Sequence, residues 1–455
     1  MAVPRRAFLS QHDTIKLTAK QSNIYLWGWQ PSARHRVAVC GRRFGKTFLA
    51  MKEIRRAAQL AAKRKIHPDN EIWYGAPTFK QAKRVFWMRL KRSIPRSWLA
   101  CKPNESECHL TLVTGHIIRI VGLDNYDALR GSGLFFFIGD EWADAQEECW
   151  TEVIQPMLMT CGGNSLKIGT PKGFNHFHAD FQKGQPGGEE DYKSWHYTSI
   201  QGGNIPDAEI ERAMRELDPR TFEQEYRAGF VTYAGRVIYA FSRGDHVRPC
   251  VYDPKLPLHI GMDFNVNPMS ATVWQEVDGA SHEALMMGLK LPAGEFVSLQ
   301  VGEVVIPTSD TTEMAEEIVR RYGRPSGNGH ITIYPDPAGA QRRTSAQGKT
   351  DISILRDPQF GFKVMAMTSH PLVKDRNNTM NSRFMNVKDE RRAFVDPSCK
   401  HSIEAYERHV YKEGTSEPEK TKGYDHLPDS GGYYFYVRFG GPDAAKLISA
   451  PHMGR

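Results

Sequence analysis

"VAVCGRRFGKTFLA", residues 37–50, is the stretch on which the fold turns. Val37 to Cys40 is a short apolar, β-branched run suited to a buried parallel strand. Gly41 to Thr47 reads as a tight loop, and "FLAMKEIRRAAQLAAKRK" (48–65) as a helix. Ala50, Ile54, Ala57, Ala58 and Ala61 repeat at helical spacing, basic residues take the other faces, and Pro68 follows the end. Strand, loop and helix in that order is the setting of a phosphate-binding loop. The N–H groups at the helix start face the phosphates, Lys46 reaches the β- and γ-phosphates, and Thr47 holds Mg²⁺. The strict pattern asks for glycine five residues before Gly45, where Cys40 stands instead. Gly41 next to it can supply the backbone freedom. The alternative is a basic turn between a strand and a helix.

A second stretch favours the nucleotide reading. "LFFFIGDEWADA" (134–145) runs five apolar residues into Asp140-Glu141. A buried strand ending in two acids is the natural partner of such a loop: Asp140 binds the metal through water, and Glu141 polarises the water that attacks ATP. "EIWYGAPTFKQAKRVFWMRLKR" (71–92) and "HIIRIVGLDNYDALRG" (116–131) each join a strand to a helix or turn. A helix is expected near Gln146 to Met159, followed by "SLKIGTPKGFNHF" (165–177). Alternating strands and helices predict an α/β domain, a parallel sheet with helices on both faces and nucleotide at the carboxyl ends of the strands.

The chain has 455 residues, too many for one ordinary domain. With 40% hydrophobic and 25% charged residues it reads as globular, and its net charge of +8 points to an acidic partner, nucleic acid being the commonest. No apolar run approaches the roughly 18–20 residues that span a membrane. "MAVPRRAFLSQHD" has no apolar core of signal-peptide length. The seven scattered cysteines lack zinc-site spacing and read as reduced thiols of a cytoplasm.

Texture changes at "GGNIPDAEIERAMRELDPRTFEQEYRAGFV" (202–231), where Asp207 is expected to cap one short helix and a second follows Pro219. Beyond about residue 248 the pattern resets. "LHIGMDFNVNPMSATVW" (258–274) reads as strand, turn and strand with Asp263 ending the first. "ALMMGLKL" (284–291) and "SLQVGEVVIP" (298–307) are expected as strands, and "TTEMAEEIVRRYG" (311–323) as a helix capped by Thr311 or Thr312. "HITIYPDPAGAQRR" (330–343) drives a strand into Asp336, and "GYDHLPDSGGYYFYVRF" (423–439) brings Asp425, His426 and Asp429. Carboxylates on separate elements are what two-metal phosphodiester cleavage requires. "QGKTD" (347–351) imitates a phosphate loop without a preceding strand and reads as an ordinary loop.

"GRRFGKT", "APTFKQAK", "GLDNYDALRG", "DEWAD" and "IGTPKG", in this order, resemble the ATPase domain of the large terminase subunit of tailed bacteriophages. That family often replaces the first loop glycine, so Cys40 is no objection. The resemblance implies that an arginine in the loop contacts the γ-phosphate in cis. Its place assigns Arg42, with Arg43 the competitor, and a planar guanidinium suits the transferring phosphoryl group. It makes Thr170 the γ-phosphate sensor and Gln21 the adenine contact, with Gln30 as rival. The second half resembles the family's RNase H-like nuclease domain, implying Asp263, Asp336 and Asp429 as ligands of Mg²⁺ or Mn²⁺. Ser430 replaces the usual alanine after Asp429, which keeps Asp425 and His426 open as the third ligand.

The resemblance divides the chain into an ATPase domain (1–202), a helical linker (203–248) and a nuclease domain (249–455). It implies an ATP-driven motor that moves double-stranded DNA into a procapsid and cuts concatemers. Its partners would be the portal protein, a small terminase subunit and further copies in a ring, in the host cytoplasm. Two basic groups border the halves: Lys80, Lys83, Arg84, Arg89, Lys91 and Arg92, then Arg342, Arg343, Lys349, Lys374 and Arg376. Either can contact DNA phosphates or be a solvated face. The rival readings are a helicase-like repair translocase with a nuclease, and a DNA-binding scaffold switched by nucleotide.

Overall fold

The structure, a computed structural model, describes residues 16–231, 235–265, 267–281, 284–285, 288–289, 291–323, 331–340, 350–413 and 415–441. Strand β1 (His35–Cys40) is buried along its whole length, because a parallel neighbour lies on each side of it. The sheet runs β3 (His109–Thr111), β4 (Ile117–Gly122), β2 (Asn70–Ala76), β5 (Gly133–Asp140), β6 (Asn164–Gly169), β1, β7 (Tyr192–Tyr197). Only β3 is antiparallel to its neighbour. Alternation along β1 builds two cores: Ala38 and Cys40 enter one, Val37 and Val39 the other. The first core receives Leu49, Ile54 and Ala58 of helix α2 (Lys46–Lys63) and Ile24 of α1 (Ala19–Trp27). The second receives Trp142, Trp150 and Phe177, the last on α3 (His176–Lys183). Helices on both faces of a parallel sheet is the expected architecture.

The helix expected over 146–159 is present as a π-helix, Cys149–Ile154, that passes directly into an α-helix, Gln155–Met159. Pro156 has no N–H for the carbonyl of Glu152, and that carbonyl accepts from Arg130 Nη1 at 2.9 Å instead.

The chain forms two compact units, one of residues 1–210 with 220–232, the other of 211–219 with 233–455. Helix α4 (Asp207–Glu216) therefore lies mostly with the second unit, whereas α5 (Pro219–Glu225) lies almost wholly with the first.

The second unit carries a mixed sheet in the order β12 (Lys363–Val364), β11 (Ile331–Pro335), β8 (Leu258–Asp263), β9 (Met269–Asp278), β10 (Phe296–Ile306), β13 (Ala393–Val395). β8, β9 and β10 are an antiparallel meander, and β11 lies parallel to β8. This is the RNase H-like α/β arrangement. Helix α6 (Thr311–Tyr322) packs on one face, where Met314 and Ile318 meet Ile260 and Val273. Helices α7 (Val373–Phe384), α8 (Lys400–Arg408) and α9 (His426–Phe439) share the other with Trp274 and Tyr334.

Two expectations are corrected here, and a third falls mostly outside the described residues. No strand runs through the described part of 284–291; Ala284 and Leu285 are helical, and β9 pairs directly with β10. The cap of α6 is Asp310, whose carboxylate accepts from the N–H groups of Thr312 and Glu313, while the Thr311 hydroxyl is turned inward to Asp351 at 2.6 Å. Of "QGKTD", 347–349 lie outside the described residues, as do Arg342 and Arg343; Thr350 caps a short helix, Asp351–Leu355.

Candidate functional site

The loop after β1 is shaped by two close approaches. A side chain on Gly41 would meet Ser199 Oγ at 2.4 Å and the Tyr226 carbonyl at 2.7 Å, so only glycine fits there. Gly45 caps α2 with φ of 93°, the left-handed region. Cys40, in the place of the missing glycine, is simply the last residue of β1, and its carbonyl is the useful part. It accepts from Lys46 Nζ at 3.4 Å and from Thr170 Oγ1 at 3.2 Å. Lys46 also donates to Thr170 Oγ1 at 2.8 Å. The three residues form a closed, buried triangle at the carboxyl ends of β1 and β6. Burial pushes the Cys40 thiol up to about 12, so it is inert.

Asp140 ends β5 beside them. Its carboxylate accepts the Tyr74 hydroxyl, a partner on β2, and the Glu141 N–H at 3.0 Å. Burial, then the charge of Glu141, pushes the Asp140 carboxyl up to about 6. Glu141 has left-handed backbone, φ 49°, and its carboxylate stands 3.8 Å from Lys46 Nζ. Lys46, Thr47, Tyr74, Gln81, Asp140 and Glu141 line one cleft of about 80 Å³. A buried carboxylate with a second acid beside it and a threonine hydroxyl opposite is a hard-oxygen set that fits Mg²⁺. What fixes Glu141 is Trp142. Its indole N–H donates to Asp180 Oδ2 at 2.9 Å, and the same oxygen takes Lys167 Nζ at 2.8 Å.

Arg42 is engaged by Glu225, with the Glu141 charge also acting on it. Its Nε donates to Glu225 Oε2 at 2.6 Å, its own N–H to the Glu225 carbonyl at 2.7 Å, and its side chain is 68% exposed. Arg43, also exposed and at φ 59°, makes no hydrogen bond or ion pair among the described residues. Gln21 is buried under the loop. Its Nε2 donates to the carbonyls of Phe44 at 2.8 Å and Gly45 at 3.2 Å, and its Oε1 accepts from Thr18 N at 2.9 Å. It braces the loop with its whole carboxamide. Gln30 is exposed and donates to Leu26 O.

The second set of carboxylates gathers at one end of the other sheet. Asp263 ends β8, Asp336 follows β11, and Asp429 is in the first turn of α9. Each has its own partner. His426 Nδ1 is 3.2 Å from Asp263 Oδ2, His370 Nδ1 is 3.4 Å from Asp336 Oδ1, and Arg376 Nη2 is 3.1 Å from Asp429 Oδ1. Asn265 Nδ2 also donates to Asp263 at 2.7 Å. Burial pushes the Asp263 carboxyl above its ordinary range; Asp429 and Asp336 push the same way, and His426 and Asn265 pull it back. Mutual repulsion among hard oxygen donors fits a divalent cation. In this arrangement no three His, Cys, Asp or Glu groups among the described residues stand close enough to hold one ion. Asp425, the rival of Asp429, is buried with Oδ1 unpartnered.

Ser430 explains the departure from alanine. Its Oγ donates to the Gly261 carbonyl at 2.9 Å and accepts from the Thr272 N–H at 2.9 Å, tying α9 to β8 and β9 at once. A side chain on Gly261 would strike the Ser430 carbonyl at 1.9 Å. Arg376, first grouped with basic residues bordering DNA, is 4% exposed and belongs to Asp429 instead. In the other basic group, Lys83 and Lys91 both bond Glu105. Sequence reading missed Tyr74, Glu225, Asn265, His370 and the role of Arg376, none of which stands in a motif.

The chain is similar in sequence and in fold to large terminase subunits. No protein-family model matches the chain. It is 28% identical over 294 residues to the large terminase subunit of Thermus virus P23-45, covering 54% of this chain and 58% of that one. The Thermus phage G20c large subunit is likewise 28% identical over 295 residues. The chain thus matches somewhat over half the length of these curated relatives. In structure it is similar to the large terminase of a thermophilic bacteriophage, with a TM-score of 0.56 at 18% identity, covering 93% of this chain and 99% of that one. The same protein in complex with ATP-gamma-S gives 0.56 at 17% identity, covering 92% and 99%. The resemblance read from the motifs is borne out. No helix among the described residues is long and apolar enough to cross a membrane.

Proposed function

We propose that this chain is the ATPase and nuclease of a viral DNA-packaging motor. The observation that carries the reading is the single cleft shared by Lys46, Thr47, Asp140 and Glu141, with Thr170 bonded to Lys46 behind it. ATP lies with its phosphates on the N–H groups that open α2 and on Lys46. Thr47 and Asp140 would hold Mg²⁺, which would supply positive charge against the phosphates. Glu141 orients a water and takes its proton as the water oxygen bonds to the γ-phosphorus. The bond from that phosphorus to the β,γ-bridging oxygen breaks, and ADP leaves with the electron pair. Thr170 shares Lys46 and the Cys40 carbonyl, so loss of the γ-phosphate reaches β6 through one hydrogen bond. Arg42 supplies transition-state charge once it leaves Glu225.

In the second unit Asp263, Asp336 and Asp429 would hold Mg²⁺ or Mn²⁺, whose chemistry would be activation of water and stabilisation of the leaving oxygen. His426, His370 and Arg376 balance the carboxylates and orient them. The substrate is double-stranded DNA, cut from concatemers and moved into a procapsid. The partners are the portal protein, a small terminase subunit and a ring of further copies, in the host cytoplasm. Phosphate release from ATP, measured with and without duplex DNA, tests the reading. DNA-stimulated turnover is expected, and a chain that turns over no ATP in either condition refutes it.

A further inference from the structure

At the far end of the second unit's sheet lies a cleft of about 550 Å³, lined by Arg212, Arg215, Arg383, Arg392, Arg438 and Phe296. It is not part of the nuclease carboxylates. Asp263 pairs with Ser270, whereas Phe296 pairs with Asp278 on the same strand, eight residues on; at the rise of an extended strand that is about 27 Å. Its size is that of a small-ligand site. Phe296 and Arg438 also line a neighbouring cavity of about 460 Å³ that adds Lys363 and His259.

Cations dominate the lining. Three arginines have carboxylate partners: Arg212 with Glu216 at 2.8 Å, Arg392 with Glu295 at 2.6 Å, and Arg438 with Glu276. Arg215 and Arg383 form no ion pair among the described residues; Glu211 acts on Arg215, and Glu276 and Glu295 on Arg383, only at longer range. Arg383 is 7% exposed; its Nη2 donates only to the carbonyls of Phe296 and Arg392, its Nε is buried without a partner, and its guanidinium lies 4.0 Å from the Phe439 ring centroid. Burial draws its pKa down to about 10. A buried cation is costly when the carboxylates nearest to it, Glu276 and Glu295, are already bonded to Arg438 and Arg392, and a guanidinium fork matches phosphate oxygens two at a time. The wall that carries Arg215 is fixed, since Asn386 Nδ2 donates to the Arg215 carbonyl at 2.9 Å and the Val387 N–H to Leu217 O at 3.2 Å.

We propose that this cleft is a phosphate-binding site in which Arg215 and Arg383 take the phosphate of a DNA strand or of a free nucleotide. The inference does not depend on the ATPase reading. The test uses the full chain carrying Lys46→Ala, to weaken the other phosphate site, in EDTA and low salt. The probes are a 30-base-pair duplex by anisotropy and ADP by calorimetry. Arg215→Glu is expected to weaken one probe at least tenfold, and Arg215→Lys to keep most of the affinity. If the duplex is the occupant, the slope of log affinity on log salt falls by roughly one for each phosphate the variant no longer holds. Weakening for the duplex alone identifies a backbone phosphate; weakening for ADP alone identifies a free nucleotide. Unchanged affinity for both probes overturns the proposal. So does absence of binding by either, or an equal effect of Arg320→Glu, a charge reversal on exposed α6. Arg383→Gln, checked for folding by circular dichroism, is expected to reproduce the weakening.

Discussion

The two candidate sites handle charge in opposite ways. In the first unit, Lys46, Thr170 and the Cys40 carbonyl already bond one another, and Asp140 is held by Tyr74. The cleft is assembled from groups that already bond one another. In the second unit, Asp263, Asp336 and Asp429 each lean on a different partner, His426, His370 and Arg376. There the carboxylates are gathered but individually engaged. A phosphate cradle can be prebuilt from backbone and one lysine, because its groups do not repel one another. A cluster of acids cannot, because each needs a counter-charge until a cation supplies one.

The contrast is broken most directly by Lys46→Ala. Removing one preorganised phosphate ligand is expected to lower ATP turnover by roughly 10²–10³-fold, while Mn²⁺-dependent nicking of plasmid DNA by the same protein stays within twofold of wild type. Loss of both activities would mean that the sites are not separate. Asp263→Asn is the reciprocal case. Nicking should fall by more than the roughly 10–100-fold that loss of an outer partner of a metal site costs, with phosphate release unchanged. A normal cutting rate would remove Asp263 from the site.

Asp140→Asn sharpens the comparison through stability. A carboxyl whose folded pKa of about 6 lies above its unfolded value binds its proton more tightly in the fold. The folded state therefore gains stability as pH falls from about 6 towards 4, and at neutral pH the charge is a burden. A carboxamide at this position carries no charge, so Asp140→Asn should raise unfolding stability at pH 7.5 by roughly 1–3 kcal/mol and abolish hydrolysis. Thermal melts at pH 7.5 and 5 check it: the gain should shrink at the lower pH. In wild type, ATP turnover should decline as pH falls through 6, where protons compete for Asp140. The smallest effect expected is that of Ser430→Ala, about 1–2 kcal/mol from two missing hydrogen bonds, read from urea midpoints. ATP turnover should not change.

Much of the first site was legible because its chemistry is contiguous. "GRRFGKT" carries loop, lysine and threonine in seven residues, and the apolar run before Asp140 marks its strand. Long strands were legible for the same local reasons. The partners were not. Tyr74 meets Asp140 only because β2 lies next to β5, and Glu225 meets Arg42 across 183 residues of chain. Arg376 read as a basic surface residue until α7 packed it on α9.

The Ser430 hydroxyl has a mechanical corollary. It answers a carbonyl of β8 and an amide of β9 together, so the 14-residue α9 has one admissible position along the sheet. A shift by a single residue would strand both main-chain groups. The acids at its leading end therefore cannot be brought together by sliding the helix as a piston. Convergence on an ion has to come from rotation about side-chain bonds, with Arg376 releasing its grip first.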